Sequence, residues 1–166
     1  MQVLFLDIDG VINSSSSEIR TRRLGLLKGI DDAVIRRQKE LCPIAVSNLI
    51  YLLEQLPDLQ IVLSTSIRKQ YKFNEIKFEM LVPNGIPAER IFDTTPLDVQ
   101  DRYEAIQAYL NDPPVDISQY VILDDYHIPD PRWVPIDPRV GLTYPQVTDV
   151  VLMFQPDWKE PQLEVL

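Results

Sequence analysis

Cysteine and histidine occur once each in 166 residues, as Cys42 and His127. A lone thiol cannot close an internal disulfide, and the two residues together fall short of a thiolate or imidazole zinc site. Glycine is sparse at five residues, and none of them builds a Gly-x-Gly-x-x-Gly fingerprint, a Walker loop or a Gly-x-Ser-x-Gly elbow. Dinucleotide enzymes, P-loop kinases and serine hydrolases therefore lack their signatures. Basic residues are outnumbered 16 to 25, and a net charge of -9 disfavours long-groove binding of nucleic acid. No apolar run approaches the ~20 residues of a membrane span, and after Met1-Gln2 only the four apolar residues Val3 to Leu6 come before Asp7, too short a stretch for a secretory core. A soluble, cytoplasmic protein with no membrane partner is the expectation.

What is present is ordinary globular material, 45% apolar and 25% charged, at a length suited to one domain. Val3 to Leu6, Ile61 to Leu63 and Tyr120 to Leu123 are short continuous apolar runs, as in strands buried on both faces of a parallel sheet. Arg90 to Phe92 reads as a minor strand. Helical spacing recurs over Ile44 to Leu56, with Pro43 at its first turn, over Lys72 to Leu81, over Val99 to Leu110, and after Thr143 through Val147, Val150, Val151 and Phe154. This alternation predicts an α/β fold, a three-layer sandwich around a central parallel sheet. The domain is expected to span 1–155 and to be followed by a surface tail over 156–166. Residues 14–42 interrupt the pattern as an insertion carrying seven basic against four acidic residues, a +3 flap in an acidic chain.

The three main strands end in Asp7-Ile8-Asp9, Ser64-Thr65-Ser66 and Asp124-Asp125. Ligands of open α/β sheets bind beyond the carboxyl ends of the strands, so four carboxylates and a hydroxyl cluster converge on one edge. Carboxylates that close raise one another's pKa unless a cation neutralises them, and an all-oxygen set suits magnesium. Magnesium leaves positions open for phosphate oxygens, which makes phosphoryl chemistry the leading reaction class. Taken alone, Asp-x-Asp-Gly more often marks a turn or a calcium loop, and Asp124-Asp125 would be a strand-end turn roughly half the time. The buried strand before Asp7 favours the catalytic reading. His127, single and in a loop, stays outside the core site.

At these residues the sequence resembles the haloacid dehalogenase (HAD) superfamily of phosphatases. Leu4 to Val11 is similar to its first motif, Val62-Leu63-Ser64 to its second and Val121 to Asp125 to its acidic fourth. Ile61 to Arg68 and Arg102 to Leu110 resemble, more narrowly, the HAD phosphatase domain of multifunctional RNA repair proteins. The resemblance implies that Asp7 is the nucleophile forming an aspartyl phosphate and that Asp9 is general acid and base, with its main-chain carbonyl on the metal. It implies that Asp124 and Asp125 complete the magnesium sphere and that Ser64 bonds a phosphoryl oxygen. Gly10, Thr65, Ser66, Arg68 and Lys69 fall to the substrate side. The third motif usually holds a lysine, and none occurs between Lys77 and Lys159. Arg102 is the candidate substitute, with Lys69 and Lys72 as fallbacks. Ile67 stands where the narrower family tends to have an aromatic residue.

Superfamily members acting on metabolites carry a sizeable cap, whereas the insertion here is a flap and no full cap domain. An uncovered site admits the end of a large substrate, so the expected activity is magnesium-dependent hydrolysis of a phosphomonoester at a polynucleotide end. Two alternatives stay open: a phosphatase for nucleotides or sugar phosphates, and a catalytically silent HAD-fold binding domain.

Overall fold

The computed structural model describes residues 1–161; residues 162–166, the end of the expected tail, lie outside that range. Each apolar run becomes a strand: β1 (Gln2–Leu6), β2 (Leu59–Leu63), β3 (Ile91–Thr94) and β4 (Gln119–Asp124), joined by a short β5 (Trp133–Pro135). All pair in parallel, in the order β3-β2-β1-β4-β5. Successive side chains of a strand point to opposite faces, and the sheet accordingly feeds two cores. Leu4, Leu6, Ile61, Leu63, Val121 and Leu123 go to the larger core, against α3 (Pro43–Gln55) and α6 (Tyr144–Phe154). Val3, Phe5, Val62 and Ile122 go to the smaller one, against Ile106 and Tyr109 of α5 (Arg102–Asn111). Phe5 meets the rings of Tyr109 and Tyr120 edge-on at 5.7 and 6.0 Å. Burying a side chain of that size contributes about 1.5–3 kcal/mol. The helices on the two faces complete the three-layer α/β sandwich.

The helices start where the sequence gives reason for them. Pro43 occupies the first turn of α3, where its missing N–H costs nothing, and the side chains of Thr143 and Gln146 form a capping box at α6. The stretch read as one helix over Lys72 to Leu81 is a short α4 (Phe73–Glu75) that widens into a π-helical turn, Ile76–Leu81. A 3-10 turn, Val82–Asn84, containing Pro83 follows it, and the Asn84 side chain donates to the Met80 carbonyl at 2.8 Å.

The insertion is built differently from a bare flap. Its four-serine run opens α1 (Ser15–Arg23), capped by Ser14 and Ser17, and α2 (Ala33–Glu40) follows with Asp32 as its cap. Side chains tie it down: Ser17 and Thr21 donate to the carbonyls of Glu40 and Lys39, and Ser16 to that of Arg139. Tail residues also fold back, since Trp158 donates to Gln55 and Glu160 accepts from Tyr144.

Candidate active site

Register brings the site together. Leu6 pairs with Leu63 on one side and with Leu123 on the other, so the next residues, Asp7, Ser64 and Asp124, emerge level at the carboxyl edge. The ladder continues one step further, with Asp7 N–H on the Leu123 carbonyl and Ser64 N–H on that of Leu6. From β1 the chain moves outward to β2 and β3, then returns to the other side of β1 as β4. Asp7 and Asp124-Asp125 flank that switch point, where open sheets place their ligands.

Carboxylate oxygens of Asp7, Asp124 and Asp125 lie within 4.8 Å of one another. The Asp7 side chain is 1% exposed; its Oδ1 accepts from Ile8 N–H at 2.8 Å and its Oδ2 from Arg102 Nη1 at 2.5 Å. The same Nη1 reaches both oxygens of Asp124 at 2.7 and 2.8 Å. Burial pushes Asp7 up to about 7, and the Asp124 carboxylate adds to this while Arg102 opposes it. Asp124 is likewise raised, chiefly by burial. Burial works against the charge of Arg102, but Asp7 and Asp124 outweigh it and hold the guanidinium above its ordinary value.

The two neighbouring acids divide the work. Asp124 is fully engaged: Arg102 takes both oxygens and Tyr126 N–H adds a bond to Oδ1 at 2.8 Å. Asp125 is not so engaged, and its buried Oδ1 has no hydrogen-bond partner among the described residues. An orphaned anionic oxygen beside Asp7 and Asp124, in an all-carboxylate set, fits a hard divalent cation. The residues present could thus hold a metal ion, with Asp7, Asp124 and Asp125 each offering a carboxylate oxygen. Among the described residues Ser64 Oγ and Thr65 Oγ1 are also buried without a hydrogen bond of good geometry, although the Thr65 hydroxyl lies near enough to Asp7 to favour its charged form.

Asp9 lies apart from this cluster. Its Oδ1 accepts from Arg37 at 2.6 Å and from Asn13 at 3.2 Å, so the side chain is held by the insertion and not by the carboxylate group. Arg37, on α2, is the residue that sequence reasoning missed, for no motif links it to Asp9. Asp7, Asp9, Gly10, Ser66, Arg102, Asp125 and Tyr126 share a cleft of about 300 Å³. Arg68 and Lys69, expected on the substrate side, do not line this cleft. The Arg68 guanidinium is buried near Asp7 and Arg102 and donates from Nη1 and Nη2 to the carbonyls of Thr65 and Pro96, while its Nε has no partner among the described residues, and Lys69 reaches Gln100. His127 packs edge-on against Trp133 at 4.9 Å, outside the carboxylate cluster.

Gly10 is required twice over. Its φ of +83° is one that side chains resist, and a Cβ there would come within 2.6 Å of Asp125 Cγ and Oδ2. Gly10→Ala is therefore expected to cost roughly 2 kcal/mol from the left-handed backbone alone, about 4–8 °C in melting temperature for a chain of this size. It is also expected to displace Asp125. Thermal unfolding with and without magnesium checks both, because the stabilisation by the ion should shrink as well.

Comparison with known proteins agrees with the geometry. The family model for the HAD domain in Swiss Army Knife RNA repair proteins matches residues 3–147. Neither a comparison with curated proteins nor one with solved structures finds a significant match.

Proposed function

The chain belongs to the family of HAD domains in Swiss Army Knife RNA repair proteins, and from that premise we propose that it hydrolyses a terminal phosphomonoester of a polynucleotide in a magnesium-dependent reaction. One observation carries the reading: Asp7 sits at the sheet's switch point between a cation, Arg102, and an acid with an unpartnered buried oxygen, Asp125. A family of HAD domains fits a phosphatase-like activity; the residues below supply the chemistry.

Asp7 attacks the phosphorus, the bond to the leaving ester oxygen breaks, and an aspartyl phosphate forms. Asp9 gives its proton to the leaving oxygen. Its Oδ1 is clamped by Arg37 and Asn13, while its Oδ2 has no hydrogen bond among the described residues and is the atom free to carry that proton. Asp9 then takes a proton from water, the water oxygen attacks phosphorus, and the bond to Asp7 breaks to release inorganic phosphate and regenerate the carboxylate. Ser64 Oγ donates to a phosphoryl oxygen, which gives this buried hydroxyl the partner it lacks. Arg102 offsets charge on Asp7 through Nη1 and keeps its other nitrogens for the phosphate. A bound magnesium ion supplies charge neutralisation to the phosphoryl oxygens.

The shallow cleft, open to solvent at Asp9 and Tyr126, suits the end of a chain that is itself too large to be enclosed. Treating the protein with a chelator is expected to abolish release of phosphate from 3'- or 5'-phosphorylated oligonucleotides, and added magnesium to restore it. Release that persists in the chelator would overturn the metal dependence. Faster turnover of nucleotides or sugar phosphates than of either oligonucleotide would overturn the substrate class.

A further inference from the structure

The loop after β4 carries an unusual side chain for its place. Tyr126 is 68% exposed, yet it is the residue next to Asp125. One face of its ring lies over the Arg102 guanidinium, 5.3 Å from carbon to centroid. Its backbone is fixed by the N–H bond to Asp124, so the ring is held on the lip of the cleft.

A second cavity of about 530 Å³ adjoins the catalytic cleft, and Arg102 and Tyr126 form the wall that the two share. Its lining has a consistent chemistry. Tyr103, His127, Ile128 and Pro129 give it aromatic and apolar surface, Asp101 and Glu104 add hydrogen-bond acceptors, and the Gln100 carbonyl oxygen already accepts from Lys69 at 2.7 Å. Among the described residues Arg102 is the one lysine or arginine in its lining, and Lys69 stands behind Gln100. Acidic side chains there repel a second phosphate, which disfavours a diphosphate or a polyphosphorylated sugar. A flat, neutral group with N–H donors fits both the ring and the acceptors. A group of that kind, one sugar away from a phosphate, is a nucleobase.

We propose that Tyr126 and the adjoining cavity form a stacking subsite for the base of the terminal nucleotide, the one whose phosphate is removed. The proposal rests on the phosphomonoesterase reading above and deepens it: the site recognises a single-stranded end whose last base lies unpaired on Tyr126. Stacking on an aromatic side chain tolerates every base, so the subsite selects nucleotide ends without selecting sequence. Arg102, sandwiched between the cleft and the ring, couples base placement to phosphate placement.

Two short phosphorylated oligonucleotides test it, identical except that the terminal nucleotide of one has no base. The wild-type protein is expected to prefer the base-bearing end by roughly 10- to 100-fold in kcat/KM, the range that one stacked base supplies, and the difference should lie in KM. Tyr126→Ala should collapse that preference to less than about threefold, and Tyr126→Phe should keep it. A merely structural disturbance of Arg102 would instead lower kcat for both substrates and leave the preference standing. Turnover by the wild type without any preference, or a preference unchanged in Tyr126→Ala, overturns the subsite. If the wild type releases phosphate from neither oligonucleotide but does so from glycerol phosphate, the polynucleotide reading fails, and the subsite with it. No release from any of the three overturns the phosphatase reading itself.

Discussion

Asp7→Asn is expected to abolish turnover and, at the same time, to make the metal-free protein more stable. The loss follows from chemistry: an amide is no nucleophile toward phosphorus, and removing a covalent catalyst costs on the order of 10³-fold or more. The gain follows from burial. Asp7 titrates at about 7 in the fold against 3.8 in an unfolded chain. Below pH 4 both states hold the proton and nothing is lost. As pH rises from 4 to 7 the unfolded chain releases its proton while the fold retains it, so stability falls, and above 7 the whole penalty is present. The bonds from Ile8 and Arg102, which favour the charged form, already hold that value down, so the gain at pH 8 is on the order of 2–4 kcal/mol, or roughly 4–16 °C. Thermal unfolding of both proteins between pH 4 and pH 8 checks the sign: the curves should meet at the acid end and separate toward the alkaline end. Equal melting temperatures at pH 8 would mean that the carboxylate is already neutralised without metal. A destabilised variant would mean that Asp7 is structural, which favours a silent binding domain.

The reason so much of the site was legible is that the sheet is parallel and in register. Three runs of apolar residues had to be strands buried on both faces, and when such strands align, whatever follows them arrives at one edge. Asp7, Ser64 and Asp124 needed no further information to be placed together. Arg102 followed from the resemblance, which implies a cation in the third motif, and from the absence of a lysine between Lys77 and Lys159. A second signal was available. A basic residue in the first turn of a helix opposes the macrodipole, and that local conflict is resolved here by two carboxylates.

Other features left no such trace. Strand β5 has three residues and ends in proline, so its period is invisible, and it is recognised only because Ile122 to Asp124 offer it a free edge. Helices α1 and α2 are mostly polar and hold few buried side chains, which deprives them of the apolar stripe that reveals a helix. Their contribution, the Arg37 clamp on Asp9, spans a separation that only tertiary packing brings together. The same holds for the partition of Asp124 and Asp125, two identical neighbours whose different partners depend on which way each points at a strand end.

Arg102→Ala is expected to be the most damaging single change outside Asp7, and Arg102→Lys one of the mildest. Nη1 alone bonds Asp7 Oδ2 and both oxygens of Asp124, so the planar fork that distinguishes arginine is not what holds these acids. One well-placed positive nitrogen does so, and an ammonium can take that position as a point charge. Truncation to alanine leaves two buried carboxylates facing each other with no cation, at a cost of roughly 3–5 kcal/mol and about 6–20 °C. It should also lower kcat/KM by at least ~10²-fold, the scale for deleting one group that stabilises transition-state charge. Lysine should restore most of the melting temperature and hold the kinetic loss to about tenfold, the remainder reflecting the lost nitrogens that arginine offers to phosphate. Excess magnesium should rescue part of the stability of the alanine variant, since a second cation in the cluster relieves the same repulsion. Unfolding curves and steady-state kinetics on the two variants separate the outcomes. Full turnover by Arg102→Ala would move the charge-compensating role to Lys69 or Lys72. An inactive but fully stable Arg102→Lys would show that the guanidinium fork, and not its charge, is what the phosphate requires.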